Sequence, residues 1–238
     1  MNTNPIREDA SGDAGRYSHL FLIVAALFIT CLITANIVSV KLVNLFGWVL
    51  PAGVLIFPVS YIVGDLLTEV YGYKTARRVI WLGFFCNLFL VIVVYIGLVI
   101  PAASFWDGQA SYERILGYTP RILASSFLAY LTGEFSNSFV LAKIKIATRG
   151  KWLWVRTITS TLIGQGLDSL IFITLSFVGT MPAEALLLAI LTQWIVKSLY
   201  EAIVTPITYK VVNFLKIHEG LDVFDYDTNF SPLSFSRQ

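Results

Sequence analysis

The sequence has few charged residues and long stretches without any. Only 13% of its 238 residues are Asp, Glu, Lys or Arg, and 56% are hydrophobic, whereas a soluble domain usually has about 25% charged residues. This composition excludes an ordinary soluble domain and predicts an integral membrane protein. Six helices of about 20–25 residues use nearly all of a chain of this length, which leaves no room for a soluble catalytic or nucleotide-binding domain.

Cysteine and histidine are also scarce. Cys31 and Cys86 both fall in apolar runs, so a disulfide framework is not expected. His19 and His218 lie near the ends of the chain, which excludes a haem or zinc centre built on histidines inside a helix bundle. The sequence contains no Walker A loop, HExxH, GxSxG or dinucleotide fingerprint. We therefore expect no metal, no cofactor, no nucleic-acid partner and no enzymatic activity.

Six apolar runs have the length of a membrane-spanning helix. They cover residues 20–40, 52–70, 79–100, 122–141, 154–178 and 183–215. The fifth run is more polar than the first four, and the sixth is long enough to tilt or to extend past the membrane. We expect an all-α integral membrane protein, a bundle of six transmembrane helices at residues 20–215, with tails at residues 1–19 and 216–238.

Lysine and arginine are distributed unevenly over the predicted connections. Thirteen of the 17 lie in or next to the two tails and the connections after the second and fourth runs, three lie on the opposite side, and Lys197 lies well inside the sixth run. Because cytoplasmic connections carry the excess of Lys and Arg, we expect both termini in the cytoplasm and the chain in the cell inner membrane. Residues 1–19 lack a basic start and a small-residue cleavage site, so we expect a retained tail rather than a signal peptide.

Five charged side chains interrupt the apolar runs: Asp65, Glu134, Asp168, Lys197 and Glu201. Each costs roughly 2.5–3.5 kcal/mol at the centre of a membrane helix. A chain that only had to sit in a bilayer would not need them. They are therefore predicted to line a polar cavity inside the bundle, where a solute or a coupling ion can meet them.

The second run contains two acids on one helix face. Asp65 and Glu69 are four residues apart, which places them about 6 Å from each other on a helix. Glu69 lies near the cytoplasmic end of the run and could pair with Lys74 or Arg78. Asp65 lies nearer the middle of the membrane, where a structural ion pair and a binding role both remain open.

The fourth run places a carboxylate beside a carboxamide. Glu134 follows Gly133, which lets a neighbouring backbone or a ligand approach closely, and Asn137 lies one turn further on. This pair suits a planar ligand with adjacent N–H donors and a carbonyl acceptor, such as the edge of a guanine-like base. Interhelical hydrogen bonding is the structural alternative.

The last two runs carry further polar stripes. Gln165 and Asp168 lie one turn apart in the fifth run, and Gln193, Lys197 and Glu201 fall at i, i+4 and i+8 on one face of the sixth. Lys197 and Glu201 could simply neutralise each other. Two prolines, at positions 58 and 206, are each expected to interrupt a helix.

The candidate site follows from these positions. The predicted substrate-binding residues are Asn36, Asp65, Glu134, Asn137, Gln165, Asp168, Gln193 and Lys197, with Asn87 as a further polar insertion and Glu69 and Glu201 as a coupling or ion pair. Acids outnumber the one mid-membrane lysine, so some acids are expected to hold protons or to be matched by a cationic substrate or ion. The aromatic residues available for stacking on a flat ring include Phe57, Tyr61, Phe135, Trp194 and Tyr200.

Two long stretches resemble a known family. Residues 52–81 (AGVLIFPVSYIVGDLLTEVYGYKTARRVIW) and 131–172 (LTGEFSNSFVLAKIKIATRGKWLWVRTITSTLIGQGLDSLIF) are similar to the queuosine precursor transporter family, also called the vitamin uptake transporter family. The resemblance implies a six-helix inner-membrane carrier that imports 7-deazaguanine bases such as preQ0 and preQ1 for tRNA modification. The implied partners are this small molecule and the lipid bilayer. On this interpretation the base stacks on an aromatic ring and places its N–H edge against Glu134, with Asp65, Gln165 and Asp168 around it.

Two other functions stay open beside a stand-alone carrier. One is a substrate-binding membrane subunit that works with a separate ATPase module. Such subunits usually dock through an Ala-xxx-Ala pattern in the first helix, and the first run, LIVAALFITCLITAN, has no two alanines four apart. The other is a membrane enzyme with Asp65 and Glu69 or Glu134 as acid and base, which would need a reactive centre that the sequence does not contain. A homo-oligomer is compatible with all three functions.

Overall fold

Helices and one short hairpin make up the part of the chain that the computed structural model describes, which is residues 18–45, 48–117 and 120–234. The helices are α1 (His19–Val38), α2 (Phe57–Tyr71), α3 (Tyr73–Val99), α4 (Gln109–Leu116), α5 (Pro120–Ala147), α6 (Leu153–Phe177) and α7 (Ala183–Glu219). The antiparallel hairpin pairs β1 (Leu42–Leu45) with β2 (Trp48–Pro51), and a 3-10 turn (Ala52–Leu55) leads into α2. The predicted tail at residues 1–19 lies outside the described residues except for its last two.

The six predicted spans correspond to α1, the 3-10 turn with α2, α3, α5, α6 and α7. Within the described residues, five of these are long and apolar enough to cross a membrane, and α5 is not among the five. It has 28 residues, but its middle carries the buried polar side chains of Glu134, Asn137 and Ser138. The helix accommodates them because it packs against α2, α3 and α6, so these side chains do not face lipid.

The bundle packs around α2. Every residue from 60 to 71 is buried, and α2 contacts α1, α3, α5 and α7. The outer faces of the surrounding helices carry exposed apolar side chains such as Phe89 and Val99 on α3 and Ile203 on α7. This arrangement is typical of a membrane bundle, with the apolar surface turned outward to lipid and the polar residues turned inward.

The two prolines behave differently from each other. Pro58 lies in the first turn of α2, where a missing N–H costs little, so it marks the change from the 3-10 turn to α2 and does not break the helix. Pro206 lies inside α7, which continues from Ala183 to Glu219, so the predicted break is wrong. Packing holds α7 together on both sides of this proline, since Thr205, Thr208 and Val212 are buried against the bundle.

A single glycine joins α2 to α3. Gly72 has φ +80°, a conformation that glycine adopts readily and other residues rarely. A Cβ at this position would also lie 2.7 Å from a methyl group of Val223. The connection is therefore tight because the chain beyond α7 packs against it.

The chain beyond α7, residues 220–234, is docked on α3 and is called the C-terminal segment. The backbone N–H of Tyr73 donates to Asp225 over 2.9 Å, and Arg77 donates to the carbonyls of Asn229 and Ser231 over 2.7 Å each. The predicted tail at 216–238 therefore divides into the last turn of α7, this docked segment and four residues outside the described part of the chain.

Both ends of the described chain lie at one end of the bundle. The hydroxyl of Ser18, which precedes α1, donates to the carboxylate of Glu219, the last residue of α7. We call this the terminal end, and the opposite end, where the hairpin and α4 connect the helices, the hairpin end. The predicted placement of both termini on the same side of the membrane agrees with this contact.

Candidate functional site: a cavity above a buried polar layer

A cavity of about 630 Å³ lies in the half of the bundle nearest the hairpin end. Its wall combines the later parts of α1, α3 and α6 with the first half of α5 and the middle of α7, together with residues of the hairpin connection and α4. Most of the lining side chains are apolar. Pockets that hold small ligands have volumes of roughly 300–1,000 Å³ and a mostly apolar lining with a few placed polar groups, so this cavity has the size and character of a ligand site.

Five polar residues that the sequence singled out lie in this wall. Asn36, Asn87, Asp168, Gln193 and Lys197 all line the cavity. The ammonium of Lys197 donates to a carboxylate oxygen of Asp168 over 2.7 Å, and only 7% and 4% of the two residues is exposed. The cavity therefore presents an ion pair, with both charges largely withdrawn from solvent, in an otherwise apolar wall.

Phe57 is the aromatic residue in this wall among those expected to stack on a ligand. The ammonium of Lys197 lies 4.3 Å from the centre of its ring, close enough for a cation–π interaction. Tyr61 and Phe135 are buried, and Trp194 donates its indole N–H to the carbonyl of Leu162. The sequence-based list did not include Phe172 and Phe177, which also line the cavity, because nothing in their local sequence separates them from lipid-facing residues.

The other predicted polar residues lie beneath the cavity and do not line it. This central polar layer consists of Asp65, Glu134, Asn137, Gln165 and Glu201, each with at most 1% of its surface exposed. The carboxamide of Asn137 donates to Asp65 over 2.7 Å. Glu134 lies against α2, since a Cβ placed on Gly64 would come within 3.0 Å of its carboxylate. The predicted site is thus split between two levels of the bundle.

Glycines bring α5 and α6 close together at this level. A Cβ on Gly164 would lie 2.7 Å from the Cβ of Asn137 and 2.9 Å from the carbonyl of Gly133, and a Cβ on Gly133 would lie 3.0 Å from the Cβ of Asp168. The expected role of Gly133, to permit close approach, is confirmed. At this close crossing, Asp168 of the cavity wall lies against α5, and Asn137 of the central polar layer lies against α6.

Glu69 lies at the terminal end, at the centre of an ionic cluster. Two nitrogens of Arg156 donate to its two carboxylate oxygens over 2.7 Å each, and Lys216 donates over 2.6 Å. Lys145 lies 3.6 Å away and also bonds Asp222. We call Glu69, Lys145, Arg156, Lys216 and Asp222 the Glu69 cluster. The sequence offered Lys74 or Arg78 as the partner of Glu69, whereas the cations found at its carboxylate come from α5, α6 and α7.

Asp222 ties the C-terminal segment to this cluster. Its carboxylate accepts hydrogen bonds from Lys145 over 2.6 Å and lies 2.8 Å from the ammonium of Lys216. Partial burial acts to raise the pKa of Asp222, but the hydrogen bonds and charges of the two lysines outweigh it and lower the pKa from its ordinary value. The segment is therefore held by an ionised carboxylate at neutral pH.

Two interpretations of the charged residues differ from the structure. The pairing of Lys197 with Glu201, which the sequence left open, is not formed, because α7 turns Lys197 toward α6 and its ammonium bonds Asp168. Lys145 and Arg156 were counted as part of a basic cytoplasmic connection, whereas both are buried and bonded to Glu69. The signal that could have identified them is the presence of an acid, Glu69, at the same end of a neighbouring helix.

Comparison with known proteins decides the family. The family described as "Putative vitamin uptake transporter" matches residues 51–211, a range that contains α2 to α6, most of α7 and nearly all of the cavity wall. The chain belongs to this family. Together with its long apolar helices, membership makes the chain a multi-pass membrane transporter.

Curated relatives carry more specific names. A protein of Bacillus subtilis (strain 168) named "Probable queuosine precursor transporter" is 32% identical over 178 residues, which cover 74% of this chain and 78% of the relative. The "Queuosine precursor transporter" of Escherichia coli (strain K12) is 28% identical over 163 residues, 68% of this chain and 70% of the relative. A Haemophilus influenzae relative named "Probable queuosine precursor transporter" is 26% identical over 164 residues, 68% and 67% of the two chains. No solved structure matches the chain.

Proposed function

We propose that this transporter imports queuosine precursors, 7-deazaguanine bases such as preQ0 and preQ1, across the inner membrane as a secondary carrier. The names of the relatives support the substrate class. The observation that carries the proposal is the ion pair of Asp168 and Lys197, held at 2.7 Å in the wall of a largely apolar cavity of about 630 Å³. A flat, polar-edged base needs this combination of apolar faces and a few buried polar groups.

The groups in the cavity match the chemistry of such a base. A carboxylate accepts hydrogen bonds from two adjacent N–H groups, and Asp168, rather than Glu134, presents a carboxylate to the cavity. Lys197 and Gln193 supply donors for a ring carbonyl, and Phe57 supplies a face for stacking. Asn137, predicted as a direct ligand, then serves from the layer below by holding Asp65, and Gln165, also predicted as a direct ligand, is buried in the same layer.

The two ends of the bundle support a carrier that opens to one side at a time. The cavity lies toward the hairpin end, whereas the Glu69 cluster joins four helices and the C-terminal segment at the terminal end with contacts of 2.6–3.6 Å. The excess of Lys and Arg in the connections at the terminal end supports a cytoplasmic position for that end. In this arrangement the cavity faces outward, and import requires the Glu69 cluster to separate so that the base can leave.

The test is uptake of labelled preQ0 and preQ1 into cells that cannot synthesise them and that lack any ATPase module for vitamin uptake. We expect queuosine to reappear in tRNA and the labelled base to be chemically unchanged after it enters the cells. Failure of uptake in this host with success in a host that has such a module would favour the binding-subunit alternative. No uptake in either host would remove the proposed substrate.

Phe57→Ala sharpens the test because it removes the proposed stacking face. Base–aromatic stacking is worth about 1–3 kcal/mol, so we expect the KM for the transported base to rise by about tenfold or more, with restoration by Phe57→Tyr. The matched control is Phe89→Ala, because Phe89 lies on the exposed outer face of α3. An unchanged KM in Phe57→Ala would exclude Phe57 from the substrate site.

A further inference from the structure

Three carboxylates from three helices lie in the buried layer between the cavity and the Glu69 cluster. Asp65 comes from α2, Glu134 from α5 and Glu201 from α7, and at most 1% of each is exposed. Asp65 and Glu201 are close enough to interact electrostatically, as are Glu134 and Asp65 and Glu201 and Glu134. None of the three lines the cavity, so a solute in the cavity does not touch them in this conformation.

Most oxygens of these acids have no hydrogen-bond partner among the described residues. Asn137 donates to one oxygen of Asp65, but the other oxygen and both oxygens of Glu134 and Glu201 receive none. The amide of Gln165 and the hydroxyl of Tyr61 are unpartnered in the same region. A buried polar group without a partner costs about 1–3 kcal/mol, and more when it is charged. A proton or a cation bound to these carboxylate oxygens would remove this cost.

The cations of the neighbourhood are already engaged. Lys197 bonds Asp168, and Lys145, Arg156 and Lys216 are bonded to Glu69 or lie beside it. The apolar Phe28 faces the site from α1, 3.4 Å from a Cβ placed on Gly64. The other titratable groups that interact electrostatically with the three acids are Tyr61 and Glu69 of α2, Tyr130 of α5, and Arg156 and Asp168 of α6.

The charges therefore do not balance around these acids. Lys197 balances Asp168, and the three cations of the Glu69 cluster exceed its two acids, Glu69 and Asp222, by one charge. At least two of the three carboxylates therefore have no matching cation, and an unpaired ionised carboxylate is costly in a low-dielectric interior. Neutralisation is required, and it can come from a metal ion or from protons. Among the residues that the structure describes, no three Asp, Glu, His or Cys side chains are grouped closely enough to hold a metal ion, which favours protons.

We propose that Asp65, Glu134 and Glu201 form a proton-binding site separate from the substrate cavity, and that the carrier moves protons together with its substrate. The inference rests on the proposed function. Asp168 links the two sites, since it lines the cavity, interacts electrostatically with Glu134 and packs against Gly133. A proton that arrives from the cavity side binds to a carboxylate oxygen of one of the three acids. It is released from that oxygen to the other side when the Glu69 cluster opens. Only an O–H bond forms and breaks in the cycle.

The test uses the purified full chain in proteoliposomes with labelled preQ1. A gradient of one pH unit supports about tenfold accumulation if one proton accompanies each substrate, because a tenfold concentration ratio and one pH unit represent the same free energy. The wild type should accumulate the base when the interior is alkaline and lose this accumulation with a protonophore. Accumulation that follows a sodium gradient and ignores pH would overturn the proton site.

Variants separate the proton site from substrate binding. Glu134→Gln and Glu201→Gln imitate the protonated acids, so each should lose the pH-driven accumulation yet still exchange internal for external base, since exchange needs no proton release. Glu184→Gln is the matched control, because Glu184 is an exposed residue at the start of α7. Equal loss of accumulation and exchange, at equal amounts of folded protein, would show that these acids bind the base instead. Absence of exchange by the wild type would overturn the proposed function and this inference with it.

Discussion

The ion pair of Asp168 and Lys197 places two charges in the wall of an apolar cavity. Removing one partner of a buried pair costs about 3–5 kcal/mol because the other charge is left unmatched, whereas replacing both is often tolerated. We expect Asp168→Asn and Lys197→Met each to reduce the amount of folded protein in the membrane, and the double variant to restore it. Uptake of labelled preQ1 per folded protein should stay at least about tenfold below the wild type in the double variant, since both polar contacts to the base are gone.

The readouts of this series are independent. Quantitative detection of detergent-extracted monodisperse protein reports folding, and uptake reports transport. Full transport by the double variant would show that the pair only stabilises the bundle. A double variant as poorly folded as the single variants would show that the two charges do not stabilise each other.

The sequence identified both of these residues but not their pairing. A charge inside an apolar run stands out, so Asp168 and Lys197 were predicted as buried and polar. Their pairing depends on how α6 and α7 are rotated against each other, which local spacing does not encode. The i, i+4 spacing of Lys197 and Glu201 is readable from sequence, so Glu201 was the partner that the sequence could offer for Lys197, whereas Asp168 on another helix was not.

At the scale of elements, the α5–α6 crossing depends on Gly164. A methyl group there would lie 2.9 Å from the carbonyl of Gly133 and 2.7 Å from the Cβ of Asn137, atoms that cannot move without shifting α5. We expect Gly164→Ala to destabilise the bundle by about 1–3 kcal/mol, seen as a fall of several degrees in the Tm of the detergent-solubilised protein. Gly166→Ala is the control, since its Cβ would meet the side chain of Trp194 at 3.2 Å, which has more freedom to adjust. Equal Tm values for the two variants would contradict the tight crossing.

Elements that cross the membrane were predictable, and those outside it were not. Bilayer thickness sets the length of an apolar run. At the hairpin end, the predicted boundaries of five spans therefore lie within a few residues of the observed ends of α1, α2, α3, α6 and α7. At the terminal end, α3 and α5 are each six residues longer than predicted, since α3 begins at Tyr73 rather than at 79 and α5 ends at Ala147 rather than at 141. In α5 the extension carries Lys145, which bonds within the Glu69 cluster and need not reach water. The hairpin, α4 and the docking of the C-terminal segment depend on contacts such as that of Tyr73 with Asp225, which no periodicity records.

At the scale of the whole molecule, the polar residues form three levels along the bundle. The cavity with Asp168 and Lys197 lies nearest the hairpin end, the central polar layer lies below it, and the Glu69 cluster lies at the terminal end. Under the proposed function, this order is one state of an alternating-access cycle, open on one side and closed by ion pairs on the other. Whether the cavity is open to the outside or to the cytoplasm in this conformation depends on which end of the bundle faces the cytoplasm.

Thiol labelling in intact cells tests that direction. In a Cys31→Ala, Cys86→Ala background, Ser126→Cys places a thiol in the cavity and Lys151→Cys places one on an exposed residue between α5 and α6, near the terminal end. Because cytoplasmic connections carry the Lys and Arg excess, a membrane-impermeant maleimide added outside should label Ser126→Cys and should reach Lys151→Cys only after the cells are permeabilised. Added preQ1 should slow labelling of Ser126→Cys but leave Lys151→Cys unaffected, since only the former lies in the proposed binding space. The reverse pattern, with Lys151→Cys labelled in intact cells, would place the Glu69 cluster outside and make this conformation open to the cytoplasm.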